Sequence, residues 1–183
     1  MITQQIDVRD VLAQVGHVRP DLVTRPTGRA VRSSIETELA RLSGRTVVVL
    51  DFTAVRIIDC SCADEIVAKL VQASLTMESP FDAFFLIRGL DEHQIEEIEE
   101  VLRRQQLALV AECFGALRLI GEVTDDCRLA FAHLAARGVA AAEELADELA
   151  WPIDTMRAML DELAERRLLM LDAGRYHPPT AAA

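Results

Sequence analysis

The sequence predicts an α/β fold followed by a smaller helical unit that closes in a β-hairpin. Three observations carry this. The apolar, β-branched run Val47 to Leu50, ending in Asp51-Phe52, suits a strand covered on both faces. Apolar runs of strand length alternate with stretches of helical period as far as Gly121, the order of an α/β sheet. Beyond Gly121 helical spacing dominates until LLMLDAGRYH, two short strands about Ala173-Gly174.

In chain order, residues 2–8 (ITQQIDV) read as a short edge strand and Val8 to Val15 as a turn of helix before Gly16. Pro20 breaks the chain, and Asp21 to Arg25 reads as a second strand. Thr27 to Leu42 places Ala30, Val31, Ile35, Leu39 and Leu42 at helical spacing, with Ser43-Gly44 as the stop. The central strand, 46–52, continues through Ile57 and Ile58 to a turn at Asp59-Cys60-Ser61. A helix over 61–76 follows, whose inward stripe is Ile66, Leu70, Ala73 and Met77. Pro80 resets the chain before the strand Ala83 to Arg88. Asp91 caps a helix with Ile95, Ile98, Val101 and Leu102 on one face; its early Glu residues and late Arg103 and Arg104 suit the helix dipole. Leu107 to Ala111 and Ala116 to Ile120 close the sheet around Gly115. The second unit has helices over 124–137 and 141–150 and a third starting at Pro152, a proline suited to a first helical position.

The turn at Asp59-Cys60-Ser61 holds the candidate site. Ser61 followed by Asp64 has the form of a capping box, in which the hydroxyl accepts from a helical amide and the acid reaches back. A serine at the positive end of a helix is either a simple N-cap or a place where a phosphate or a partner's negative group is received. The stretch LDFTAV followed by SCADEI resembles STAS domains, the anti-sigma-factor antagonist family, and more closely the STAS-like domain of unknown function. Leu50, Asp51, Phe52, Val55, Ser61, Ala63, Asp64 and Glu65 carry the match. The resemblance covers about residues 2 to 120 and implies a mixed sheet with helices packed on one side. It also implies a partner, a histidine-kinase-like ATPase, contacted through Asp59, Cys60, Ser61, Cys62, Asp64 and Glu65. Cys60 stands where the antagonists' phospho-accepting serine would be, which leaves Ser61 as the hydroxyl of the turn; Cys62 stands where the STAS-like family tends to place Phe. Arg25, Gly28 and Arg29 resemble the Arg-x-x-Gly/Ala stretch before the same helix. Arg25 and Arg29 are a secondary contact by that resemblance, or solvated and ion-paired arginines by ordinary surface chemistry.

AAEELADELAWPIDTMRAMLDELAERRLLMLDAGRYH resembles winged helix domains in its helix, helix, turn, helix, hairpin order. The boundaries read as a STAS-like domain over 1–121, a winged helix domain over 122–178 and a loose tail over 179–183. A DNA-reading helix needs basic side chains at its contact. Arg157 in the third helix, with Arg166, Arg167, Arg175 and His177 near the wing, would have to supply them. Residues 123–183 hold six Arg against eleven Asp and Glu, a net of −5, which disfavours DNA.

The whole chain, 183 residues at net charge −11, opposes attraction to nucleic acid and anionic membrane. It lacks an apolar run of spanning length and a signal-type N-terminus, so the expected location is cytoplasmic. Lys69 is the one lysine. Cys60, Cys62, Cys113 and Cys127 form no CxxC pair and have no His at ligand spacing, so no metal is expected. Reduced, buried thiols are the default; a helix N-terminus favours thiolate, giving redox sensing at Cys60 and Cys62 as the alternative. No Ser-His-Asp set, glycine-rich phosphate loop or cofactor motif can be assembled, and the histidines lie singly. The expectation is a non-enzymatic bacterial signalling module that binds a protein partner through the Ser61 helix end. A transcription regulator binding DNA through the winged helix is the alternative, and an oligomeric scaffold a third reading.

Overall fold

The computed structural model describes residues 2–76 and 81–180; Met77 and Pro80, and the end of the tail, lie outside the described residues. The central strand forms as expected. Strand β3 (Thr46–Asp51) is buried at every position, with β1 (Ile2–Asp7) parallel on one side and β5 (Ala83–Arg88) parallel on the other. Strand β6 (Ala108–Cys113) pairs parallel with β5 and antiparallel with β7 (Ala116–Gly121), giving a mixed, mostly parallel five-stranded sheet in the order β1-β3-β5-β6-β7. β1 and β7 are its edges.

Because successive side chains alternate across a strand, β3 feeds two cores. Val48 and Leu50 enter a cluster with Val11 and Leu12 of α1 (Val8–Gln14), Val31, Ile35 and Leu39 of α2 (Arg25–Leu39), Ile66 and Leu70, and Ile98 and Leu102 of α5 (Glu92–Arg104). Val47 and Val49 enter the other, with Phe84, Leu86, Val110 and Leu119 of the sheet and Phe131, Leu134, Leu145, Leu160 and Leu163 of the C-terminal helices. The chain up to Gly121 therefore places its helices on one face. The opposite face is closed by α6 (Asp125–Arg137), α7 (Ala142–Leu149), α8 (Ile153–Glu165) and the hairpin β8–β9 (Met170–Asp172 and Arg175–His177). Pro178 and Pro179 are buried, so the stretch expected to be loose from 179 begins packed.

Two local departures matter for the site. The expected strand over 21–25 is only β2 (Asp21–Leu22), and Ile57–Ile58 is not a continuation of β3 but a separate strand, β4, paired parallel with β2. The helix expected over 61–76 starts one residue earlier. It runs as α3 (Cys60–Ala63), a π-helical turn (Asp64–Ala68) and α4 (Lys69–Ser74). Among the described residues no helix is long and apolar enough to cross a membrane.

Candidate functional site

The site is assembled where β3 hands over to α3. Asp51 closes the strand by accepting from the Thr53 amide at 2.9 Å and from Arg88 at 2.8 Å. The buried Gln94 side chain of α5 donates to the Val55 carbonyl at 3.0 Å and fixes the following loop. The short β2–β4 pair then sets the starts of α2 and α3 side by side.

Asp59, not Ser61, is the N-cap of α3. Its Oδ1 accepts from the Cys62 amide and from the Ser61 hydroxyl, both at 2.8 Å, and its Oδ2 accepts from the Thr24 amide at 3.0 Å. An aspartate two residues earlier starts the helix sooner and caps it at the Cys62 amide, and it ties the N-terminus of α2 to that of α3 as well. Burial pushes the Asp59 carboxyl up, but these three hydrogen bonds outweigh it and hold it below the usual carboxylate value. Asp64 does not reach back to the cap; it accepts from Arg25 at 2.7 Å and from Gln105 Nε2 at 3.1 Å.

Gly28 lets the two helices approach. A Cβ there would sit 3.0 Å from Cys62 Cα and 3.1 Å from Glu65 Cβ. This contact carries the arginines of α2 onto Glu65, whose side chain is 0% exposed. Its Oε1 accepts from Lys69 Nζ at 2.6 Å and from Arg25 Nη1 at 2.9 Å, with Arg29 Nη2 at 3.8 Å, and its Oε2 accepts from Arg32 Nη2 at 3.3 Å. The π turn, closed by the Lys69 amide on the Asp64 carbonyl five residues back, underlies this cluster. Burial pushes Glu65 up, yet the hydrogen bonds from Lys69, Arg25 and Arg32 outweigh it and bring the carboxyl to about 2. A buried carboxylate needs such partners to stay ionised. Arg25 and Arg29 are thus positioned by Glu65, Arg25 directly and Arg29 at longer range, while both keep solvent-exposed guanidinium surface.

The half-buried Ser61 faces a surface cavity of about 340 Å³ lined by Arg25, Cys60, Ser61, Asp64, Arg104 and Gln105. Cys60 Sγ donates to Glu97 Oε2 at 2.6 Å, with the Arg104 guanidinium 3.9 Å away. The thiols follow the default of free, mostly buried cysteines, and the alternative of a lowered pKa fails. The hydrogen bond to Glu97, burial and the Glu97 and Glu100 carboxylates push Cys60 up against the opposing Arg104 charge, and burial beside the Asp59 carboxylate pushes Cys62 up to about 12. Local carboxylates and burial outweigh the helix end, so redox sensing through a stabilised thiolate is not supported at either cysteine.

The structure brings together all six residues expected at the turn and joins Arg25 and Arg29 to them. It adds Arg32, Lys69, Glu97, Arg104 and Gln105. Lys69 stood out as the one lysine, which was a compositional signal without a stated partner; the others carried none, since they meet the turn only through folding.

No family model, curated protein or solved structure matches this chain.

The four arginines considered for DNA are engaged by the protein itself. Arg157 pairs with Glu143 at 2.5 Å, Arg175 with Glu144 at 2.8 Å and Arg167 with Asp82, and Arg166 Nη2 donates to the Glu122 carbonyl at 2.5 Å. His177, expected beside the wing, is half-buried and lies 2.8 Å from Asp172.

Proposed function

We propose that this protein is a non-enzymatic regulatory binding module of STAS-like type that engages a protein partner through the Ser61 end of α3, with residues 122–178 as a winged helix unit. One observation carries the reading: Ser61 sits at the start of a helix on an open cavity whose rim offers two guanidinium groups, Arg25 and Arg104, and the Asp64 carboxylate. Charged groups of both signs around a capped helix end favour a polar protein contact over an apolar ligand. The partner, by the STAS resemblance, is a histidine-kinase-like ATPase.

Phosphorylation is not the preferred switch. Ser61 Oγ already donates to Asp59 Oδ1 at 2.8 Å, so a phosphoryl group there would lose that bond and face the Asp59 carboxylate. The test is calorimetric titration of the chain with histidine-kinase-like ATPases of its own genome, followed by mass spectrometry of Ser61. Binding weakened at least tenfold by Arg104→Glu, with Ser61 unmodified, is the expected result. Stoichiometric phosphate on Ser61 would overturn the binding-only switch, and ATPase binding indifferent to Arg104→Glu and Ser61→Glu would overturn the surface.

A further inference from the structure

The edge strand β7 supplies a second surface. β6 and β7 are joined by a two-residue turn, Phe114-Gly115, both at positive φ (53° and 79°), the geometry of a tight hairpin. With Cys113 opposite Ala116, residues 116, 118 and 120 turn their backbone groups toward β6, and residues 117, 119 and 121 turn theirs outward. The side chains confirm this phase. Arg128 of α6 donates to the outward carbonyls of Leu119 and of Gly121, the latter at 2.8 Å, and Glu99 of α5 accepts from the Gly121 amide at 3.4 Å.

The lower half of the edge is thus closed by Arg128 and Glu99. Among the described residues nothing pairs with the outward N–H and C=O of Leu117 or the N–H of Leu119. Beside it, over the closed half, lies a groove of about 350 Å³ lined by Arg118, Leu119, Ile120, Arg128 and Ala132 and by Glu99, whose carboxylate is already paired with Arg103 and Arg128. Arg118 is exposed and, among the described residues, has no hydrogen-bond or ion-pair partner, unlike the arginines that line the Ser61 site. Phe114, at the hairpin tip, is 80% exposed in a left-handed conformation that suits Asn, Asp or Gly better than an aromatic residue.

We infer that the open half of β7, with Phe114 and Arg118, is a docking site for an extended acidic segment of another protein, added to the sheet as a further strand. Unpaired edge groups offer backbone hydrogen bonds to such a segment. Arg118 selects a carboxylate on it, and Phe114 covers one of its apolar side chains. A second copy of this chain is a poorer occupant. Antiparallel self-pairing about Leu117 sets Arg118 opposite Ala116 of the other copy, which places the two Arg118 side chains diagonally on one face, about 7–8 Å apart at their backbones. Like charges at that spacing repel.

The test is to pan a phage-displayed library of random ten-residue peptides against the full chain and synthesise the strongest binder. The expected winner carries Asp or Glu within a β-branched run. Arg118→Glu and Leu117→Pro each weaken it at least tenfold by fluorescence anisotropy, while Arg41→Glu, a charge reversal elsewhere, leaves it unchanged. Leu117→Pro removes an outward N–H, at a position where edge strands tolerate proline, and also trims a half-buried side chain packed against the second core. Should that variant not fold, hydrogen exchange decides, with the Leu117 and Leu119 amides slowed by bound peptide. The inference is overturned if no peptide is enriched, if binding ignores Arg118→Glu, if those amides stay unprotected, or if sedimentation shows a dimer that Leu117→Pro dissolves.

Discussion

Replacing Glu65 by Gln removes the one carboxylate on which Lys69, Arg25 and Arg32 converge, while nearly preserving shape. Glu65 falls from its ordinary value of 4.5 to about 2 on folding. A displacement of that size corresponds to about 3 kcal/mol of preference for the ionised group in the folded chain. Removal of one partner from a buried ion cluster costs a similar amount, about 3–5 kcal/mol, because the remaining charges lose their compensation. For a chain of this length a loss of about 3 kcal/mol is a fall in melting temperature of about 6–12 °C. The sign with pH follows from the lowered value. The contribution of Glu65 is fully present above the unfolded value of 4.5 and is lost as pH falls through about 2 in the folded state. Urea unfolding of wild type and Glu65→Gln, followed by circular dichroism, should show a gap of about 3 kcal/mol at pH 7 that narrows steadily between pH 5 and 2. Using the difference cancels the other carboxylates that titrate in this range. A variant within 1 kcal/mol of wild type at pH 7, or a gap that does not change with pH, would refute the reasoning.

Gly28→Ala gains about 1 kcal/mol of helix propensity but drives a methyl group against Cys62 Cα at 3.0 Å; overpacking of about 1–3 kcal/mol should win, and a raised melting temperature would count against the close approach. Asp59→Ala removes the cap shared by α2 and α3 and should cost about 1–2 kcal/mol by the same urea assay, more than Ser61→Ala, which loses one hydrogen bond; the reverse order would restore Ser61 as the cap. Glu97→Gln removes the charged acceptor that holds the Cys60 thiol up, so alkylation of Cys60 by iodoacetamide at pH 8 should quicken while Cys62 stays protected; an unchanged rate contradicts the assigned bond. Fluorescence titration of a labelled DNA duplex at low salt should show no saturable binding, since Arg157, Arg167 and Arg175 are held by carboxylates; tight, salt-sensitive binding would revive the regulator reading.

The difference between Ser61 and Asp59 shows how far sequence reasoning reached. The turn, the helix after it and the six residues gathered there were legible, because β-branched runs and helical spacing are local properties of the chain. The choice of cap was not, since Asp59 and Ser61 are both good N-cap residues. It was settled by the β2–β4 pair, which brings the Thr24 amide to Asp59 from 35 residues away. The alternative of a thiolate failed for a related reason. A helix terminus is visible in sequence, whereas Glu97, 37 residues on and beyond α4 and β5, is not assigned to Cys60 by any local pattern.

By itself the sequence determined the alternation of strand and helix, the fully buried central strand, the turn at 59–61 and the acidic character of the C-terminal unit. These depend on which side chains follow one another. Only the tertiary structure decided that the C-terminal helices close the second face of the sheet, that Gly28 brings three arginines to a buried Glu65, and that β7 leaves half an edge open beside an Arg118 with no partner among the described residues. Those outcomes depend on packing between segments far apart in the chain, where burial makes each charge and each backbone group answer to whatever neighbour the fold supplies.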